Sequence, residues 1–94
     1  MAKINHEEYK MLKGLDKEWE WIARDKNRCL YVFTGKPVKK YGPLLYWGTE
    51  GFLSFELFDE KELFQFIQWE DEKPYSISEL IEEYESEETE VKKD

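Results

Sequence analysis

Aromatic residues set the strongest constraint on what this chain folds into. Sixteen of its 94 residues are Trp, Tyr or Phe, and most of them lie in short runs bounded by Gly, Pro, Asn or Asp. Aromatic and β-branched side chains favour strands, whereas Gly, Pro and Asn favour turns. The pattern is therefore typical of short β-strands joined by tight connections, and the length allows one domain with a single core.

The first two aromatic runs predict a β-hairpin. Residues 19–25 and 29–34 flank an Asp-Lys-Asn-Arg turn, in which Asn27 is a residue that tolerates a positive φ. Alternation along the first run places Trp19 and Trp21 on one face and Ile22 on the other.

The following segment predicts a loop, a second hairpin and one more strand. Residues 35–43 contain two glycines, two prolines and three lysines, and we expect a solvated loop there. Residues 44–47 and 52–57 flank the Gly-Thr-Glu-Gly stretch of residues 48–51, which predicts a hairpin. Residues 64–69 fit neither periodicity well, and we expect one helical turn followed by a strand.

Capping boxes predict where helices begin. Asn5 and Glu8 form one and predict a helix over residues 6–13, with Gly14 ending it at the C′ position. Asp59 and Glu62 form a second box, which opens only a short segment. Ser76 opens a third, before an apolar stripe at helical spacing formed by Ile77, Leu80, Ile81 and Tyr84.

Together these elements predict an α+β fold. We expect a small antiparallel sheet of four to five strands, made of two hairpins plus a strand, flanked by an N-terminal and a C-terminal helix.

The negative charge of the chain is concentrated at its C-terminal end. The net charge is −8, of which residues 1–70 carry −1 and residues 71–94 carry −7. We therefore predict a single domain over residues 1–85 and an acidic, flexible tail over residues 86–94. A nearly neutral body lacks the basic footprint that extended nucleic acid requires.

The inventory of reactive side chains argues against an enzyme. One histidine and one cysteine do not supply a zinc site or a nucleophile–base pair by themselves. The acidic run of residues 70–72 lacks the glycine and the longer ligand series of a calcium loop. We predict a non-enzymatic protein without cofactor or metal. No run is long and apolar enough for a membrane span and no export leader is evident, so we expect a cytoplasmic location.

Three phrases of the sequence carry a resemblance. They are Trp-Ile-Ala-Arg-Asp at residues 21–25, the Lys36-Pro37 step and the run Trp-Glu-Asp-Glu-Lys-Pro-Tyr-Ser-Ile-Ser-Glu-Leu-Ile at residues 69–81. Over residues 4–84 the chain resembles small uncharacterised proteins encoded by phages and prophages of Gram-positive hosts. The resemblance implies a phage accessory protein in the bacterial cytoplasm. By analogy, it suggests counter-defence by binding.

Apolar side chains occur on both faces of the predicted strands, whereas two short helices shelter only one face. The second face is either hidden by curling of the sheet into a barrel-like core or meets a partner. We predict an inhibitor that binds a host defence or regulatory protein, steered by the acidic residues of the last helix and tail. Its expected interface residues are Trp47, Phe52, Trp69 and Tyr75.

The alternative prediction is a homo-oligomeric protein that sequesters a nucleotide-derived immune signal. Aromatic rings stack on bases and arginines bind phosphates. The expected ligand residues are Trp19, Trp21, Arg24, Lys26, Arg28 and Tyr31.

Overall fold

The computed structural model describes residues 2–57 and 63–93, and for residues 88–93 the backbone only. The predicted capping box at Asp59 lies outside the described residues. In chain order the elements are α1 (His6–Lys13), β1 (Trp21–Arg24), β2 (Leu30–Phe33), β3 (Val38–Tyr41), β4 (Leu45–Gly48), β5 (Ser54–Leu57), β6 (Tyr75–Ser76) and α2 (Ile77–Lys93).

The strands form a four-stranded antiparallel sheet in the order β5-β2-β1-β6 and a separate two-stranded ribbon, β3-β4. The predicted α+β fold, with a small antiparallel sheet and helices from both ends of the chain, is confirmed.

The first hairpin forms as predicted, with Trp21 opposite Phe33 and Arg24 opposite Leu30. The turn differs in one residue, because Arg28 and not Asn27 has the positive φ, at 77°. The Asp25 N–H donates to the Cys29 carbonyl, which leaves a three-residue loop. Such loops place their last residue in the left-handed region.

The second predicted hairpin is wrong in its pairing. Strand β4 pairs with β3, inside the segment predicted as a loop, and β5 pairs with β2. Beside β2, Leu57 lies opposite Leu30 and is buried in the core, whereas Phe55 lies opposite Val32 and stays exposed. The Gly and Pro residues that indicated a loop instead mark the two ends of the short strand β3.

The strand predicted within residues 64–69 is absent among the described residues. Phe64 has a φ of 56°, which breaks an extended chain, and the Ile67 N–H donates to the Phe64 carbonyl in a turn. The fourth sheet strand is the two-residue β6, directly before α2.

The predicted helix starts are confirmed. Asn5 and Glu8 form both bonds of the capping box, and the Ser76 hydroxyl accepts from the Glu79 N–H. Gly14 ends α1 as the C-cap residue with a right-handed φ of −78°, and not as a left-handed C′ residue. Helix α2 continues to Lys93, and the division into a domain and a tail at residue 86 stays a prediction.

The two helices cover one face of the sheet, which we call the helix face. Ile22, Leu30, Val32 and Leu57 from the strands pack there with Leu12, Phe64, Ile67, Ile77 and Leu80. The helices meet through Tyr9, whose ring stacks on that of Tyr84 at 4.4 Å between centroids. This cluster is the main core.

The ribbon covers the opposite face, which we call the ribbon face. Ala23, Phe33 and Trp47 form a second buried cluster there, lined by Trp21, Tyr31 and Trp69. Trp19 packs on the helix face, so the prediction that it shares a face with Trp21 is wrong. Because β1 begins only at Trp21, strand alternation does not extend back to Trp19.

Candidate functional site

Two polar contacts hold the ribbon on the sheet where β1 ends. The Asp25 carboxylate accepts a 2.8 Å hydrogen bond from the Trp47 N–H, and the Lys26 N–H donates to the Leu45 carbonyl at 3.4 Å. Asp25 is 8% exposed. Burial raises the pKa of its carboxyl; the Trp47 hydrogen bond opposes that shift, and the negative charge of Glu56 adds to it. The Asp25 carboxylate thus holds the ribbon by a hydrogen bond, and burying its negative charge has a cost in stability.

Lysines cover the aromatic rings of the ribbon face. The Lys39 ammonium lies 5.5 Å from the ring centroid of Trp47 and 4.6 Å from that of Trp69. Lys36 lies 5.4 Å from the Trp21 ring. These are cation–π distances, so the two lysines that the sequence placed in open water contact aromatic rings. The buried indole N–H of Trp47 has no hydrogen-bond partner among the described residues.

Arg24 binds the backbone of the turn segment 63–67. Its Nε donates to the Ile67 carbonyl at 2.7 Å, and its Nη2 donates to the carbonyls of Phe64 at 3.0 Å and Leu63 at 3.3 Å. Its Nη1 donates to the Arg28 carbonyl at 2.9 Å. From the other side, the Glu8 carboxylate accepts from the Phe64 N–H. Arg24 is therefore a structural clamp, with its donors directed at carbonyls.

An open cleft of about 930 Å³ lies beside the first hairpin turn. Its lining includes the predicted cations Arg24, Lys26 and Arg28, together with Glu56 and Glu70. Mixed charges of this kind do not favour phosphate over other polar groups. The aromatic ring that lines the cleft is that of Trp69.

The predicted stacking residues lie away from this cleft. Trp19, Trp21 and Tyr31 are not among its lining residues. Trp19 packs on the helix face near Phe55, at 6.2 Å between ring centroids, whereas Trp21 and Tyr31 lie on the ribbon face. The fold does not bring the six predicted ligand residues together in one site.

The predicted interface residues have different surroundings. Trp47 is only 5% exposed in the ribbon-face cluster, and Trp69 is half-buried beside it. Tyr75 is half-buried and packs edge-on against Phe66, at 5.2 Å between centroids. Phe52 is exposed, and its ring lies against Gly35, where a Cβ atom would come within 2.5 Å of it.

Exposed large apolar side chains cluster in and around the ribbon. Among the described residues they all fall between positions 38 and 55, with exposed fractions from 42% to 74%. We call five of them the ribbon surface: Val38, Tyr41, Leu44, Tyr46 and Phe52. The other two are Phe55, which belongs to β5, and Leu53, which directly precedes that strand.

Strand register explains how the ribbon presents both a buried and an exposed side. Trp47 lies opposite Lys39, and Tyr46 lies opposite Lys40. Trp47 is buried against the sheet. Since side chains alternate along a strand, Lys39, which lies opposite it, also points to the sheet. Tyr46, Lys40 and Val38 therefore share the outer face, whereas Tyr41 lies on the side of Lys39, with its exposed ring 6.1 Å from that of Trp69.

Sequence reasoning found Phe52 and missed Val38, Tyr41, Leu44 and Tyr46. The sequence feature that could have indicated strand β3 is the Val-Lys-Lys-Tyr run between Pro37 and Gly42, which has the length of a short edge strand. Lysines are common on such strands because they discourage unwanted pairing.

The region around the ribbon differs in charge from the rest of the molecule. Residues 36–57 contain three lysines and two glutamates, a net charge of +1, whereas the whole chain carries −8. The exposed apolar side chains therefore lie in a part of the chain that is close to neutral.

Within the part of the chain that the structure describes, no group of three or more His, Cys, Asp and Glu side chains is arranged to hold a metal ion. The described helices include none with the length and hydropathy of a bilayer-spanning segment. Compared with models of protein families, with curated proteins and with solved structures, the chain gives no match.

Proposed function

We propose that this chain is a non-enzymatic binding protein that docks its ribbon surface on another protein. The observation that supports this proposal is the concentration of exposed large apolar side chains in and around a ribbon that Trp47 anchors in a buried cluster. Contiguous exposed apolar surface is rare on monomeric proteins and marks interaction sites.

The ribbon surface has the composition of an interface centre. Tyr41, Tyr46 and Phe52 are aromatic, and aromatic side chains supply much of the binding energy at protein interfaces. The backbone of Tyr41 and Tyr46 is already held by strand pairing, so little backbone entropy is lost there on docking.

Charge indicates the kind of partner. Lys40 shares the outer face with Tyr46 and lies 3.9 Å from the Glu50 carboxylate. Lys36 and Lys39 lie over aromatic rings on the sheet side, so Lys40 is the lysine that the outer face presents. A partner surface with apolar residues and an acidic rim is complementary to this arrangement. The steering role predicted for the acidic residues of the last helix and tail requires a basic region elsewhere on the same partner.

The resemblance to phage and prophage proteins carries the remainder of the proposal. It suggests that the partner is a host defence or regulatory protein and that the chain acts by stoichiometric inhibition in the bacterial cytoplasm. Phage origin and inhibition rest on the resemblance alone.

The nucleotide-sequestering alternative has less support. The Arg24 guanidinium donates to four backbone carbonyls, and the predicted stacking rings lie on two faces of the sheet. Lys26 and Arg28 are then the cations offered to a phosphate, which lowers the affinity that this site would supply.

The experiment is quantitative affinity capture from a lysate of a Gram-positive bacterium. Three baits are compared: the parent chain, the ribbon variant Leu44→Ser/Tyr46→Ser, and the control variant Leu53→Ser/Phe55→Ser, which removes exposed apolar surface of similar size elsewhere. We expect a protein that the parent and the control retain and that the ribbon variant loses at least roughly tenfold. Equal retention by all three baits contradicts the proposal.

A further inference from the structure

Among the strands of the described residues, β5 is the outer strand of the sheet, with β2 as its neighbour on one side. The stretch from residue 53 to residue 57 reads Leu-Ser-Phe-Glu-Leu. Its three apolar side chains alternate with two polar ones, so Leu53, Phe55 and Leu57 share the helix face. Leu57 is buried in the core, whereas Leu53 and Phe55 are exposed.

Hydrogen bonds to β2 establish which backbone groups point outward. The Thr34 N–H donates to the Leu53 carbonyl, and the Leu53 N–H donates to the Thr34 hydroxyl. Leu53 thus directs its backbone groups toward β2, and alternation assigns the same direction to Phe55 and Leu57. The N–H and C=O groups of Ser54 and Glu56 point away from the sheet.

We propose that β5 pairs antiparallel with β5 of a second copy of this chain, in a register centred on Phe55. Ser54 of each copy then lies opposite Glu56 of the other, and these outward residues exchange four backbone hydrogen bonds. Phe55 lies opposite its own counterpart as a non-hydrogen-bonded pair. The two four-stranded sheets become one sheet of eight strands around a two-fold axis.

The sequence of the strand favours its own copy as the partner. In this register Leu53 lies opposite Leu57, Phe55 opposite Phe55, and Ser54 opposite Glu56, so apolar groups meet apolar groups. A register centred on Glu56 would place two carboxylates directly opposite each other, which is unfavourable. A shift by one residue would place the outward-pointing backbone groups of one copy opposite residues of the other copy whose groups point to β2.

The area of contact indicates a reversible dimer. Pairing would cover the exposed parts of Leu53 and Phe55 in both copies, which are 64% and 54% of these residues. That is roughly 400–500 Å² of apolar surface in total, which is below the area of stable specific interfaces, so we expect a weak dimer. Each copy also carries a charge of −8, so salt should strengthen the dimer by screening repulsion.

The proposal does not depend on the ribbon surface, because β5 and the ribbon are separate sheets. Loss of one activity therefore leaves the other measurable.

The first test is sedimentation velocity of the parent chain from ~5 μM to ~500 μM, at low and at moderate salt. We expect a monomer–dimer equilibrium that shifts toward the dimer with concentration and with salt. Phe55→Lys should lower the dimer association constant at least roughly tenfold, since two ammonium groups would face each other. The matched control Leu44→Lys should leave that constant unchanged.

The second test identifies the register by disulfide formation, in chains that carry Cys29→Ser. Phe55→Cys places two cysteines directly opposite, at a Cα separation that a disulfide accepts. Glu56→Cys places each cysteine opposite Ser54. We expect the first variant to form a covalent dimer roughly tenfold faster than the second. A parent that stays monomeric at every concentration, or equal rates for the two variants, overturns the proposal.

Discussion

The two faces of the sheet differ in the elements that cover them and in the side chains that they bury. The helix face is covered by two helices, and among the described residues it packs mainly aliphatic side chains into ten buried positions. The ribbon face is covered by two short strands and buries three residues, with aromatic rings and lysines around them. The first arrangement supplies stability, whereas the second holds apolar side chains in place at the surface.

Each face also contains a buried carboxylate, and the two differ in how well their surroundings stabilise the charge. On the helix face, the buried carboxylate of Glu8 accepts from backbone N–H groups. At the junction, Asp25 is also bonded to an N–H group, but Glu56 faces it with the same charge, and the Trp47 indole N–H lacks a partner among the described residues. We expect substitutions on the helix face to cost more.

The largest effect should come from the helix face. Leu30 is fully buried, and it lies opposite Arg24 of β1 on one side and opposite Leu57 of β5 on the other. Leu30→Ala leaves a cavity there. We expect the free energy of unfolding to fall by about 2–5 kcal/mol. Urea denaturation checks this value.

The matched control for that measurement is Tyr46→Ala, on the outer face of the ribbon. It should change the free energy of unfolding by less than about 0.5 kcal/mol. If it costs as much as Leu30→Ala, the ribbon is part of the core and the comparison fails.

An intermediate effect should come from the clamp on residues 63–67. Arg24→Ala removes the donors of the Leu63, Phe64 and Ile67 carbonyls. We expect a loss of about 1.5–3 kcal/mol in the free energy of unfolding, the range for hydrogen bonds to charged groups. Lys26→Ala in the exposed turn should be close to neutral, and equal losses for both variants would show that Arg24 does not act as a clamp.

The smallest effect should come from Asp25, and it should depend on pH. Burial raises the pKa of this carboxyl above its usual 3.8, so the folded chain binds the proton more tightly than the unfolded chain. Its favourable contribution is present in acid and is lost as pH rises through the folded-state pKa. Asp25→Asn keeps an acceptor for the Trp47 N–H without the charge.

We therefore expect Asp25→Asn to be more stable than the parent at neutral pH, with the difference shrinking as pH falls toward 3.8. Thermal unfolding across that pH range measures it. Glu56→Gln should reproduce part of the gain, because the charge of Glu56 is a smaller cause of the same shift. A difference that is independent of pH would show that Asp25 ionisation does not matter at the junction.

Local signals in the sequence were sufficient for the elements that local chemistry determines. Asn5 with Glu8 and Ser76 with Glu79 marked the helix starts, and the first hairpin followed from two runs joined by a short turn. Strand pairing was not local, since β5 pairs with β2, about twenty residues away. The alternation of Leu53, Phe55 and Leu57 shows which face must be buried but not which neighbour supplies it.

The candidate site was less accessible to sequence reasoning for the same reason. Trp47 and Tyr46 are adjacent, and one is buried while the other is exposed. Only the position of the ribbon over the sheet decides between them. Arg24 was predicted as a phosphate ligand because of its residue type. Its guanidinium instead donates to carbonyls of the turn at residues 63–67, a contact that no local pattern indicates.

The most direct test of the docking surface is site-specific photo-crosslinking in Gram-positive cells that express the chain. A photoreactive phenylalanine replaces Tyr46 on the ribbon surface or, as the control, Lys10 on α1, which is also exposed. We predict a discrete adduct from position 46, heavier than two copies of this chain, and none of that mass from position 10. No adduct from position 46, or the same adduct in equal yield from position 10, would contradict the assignment of the ribbon surface as the docking site.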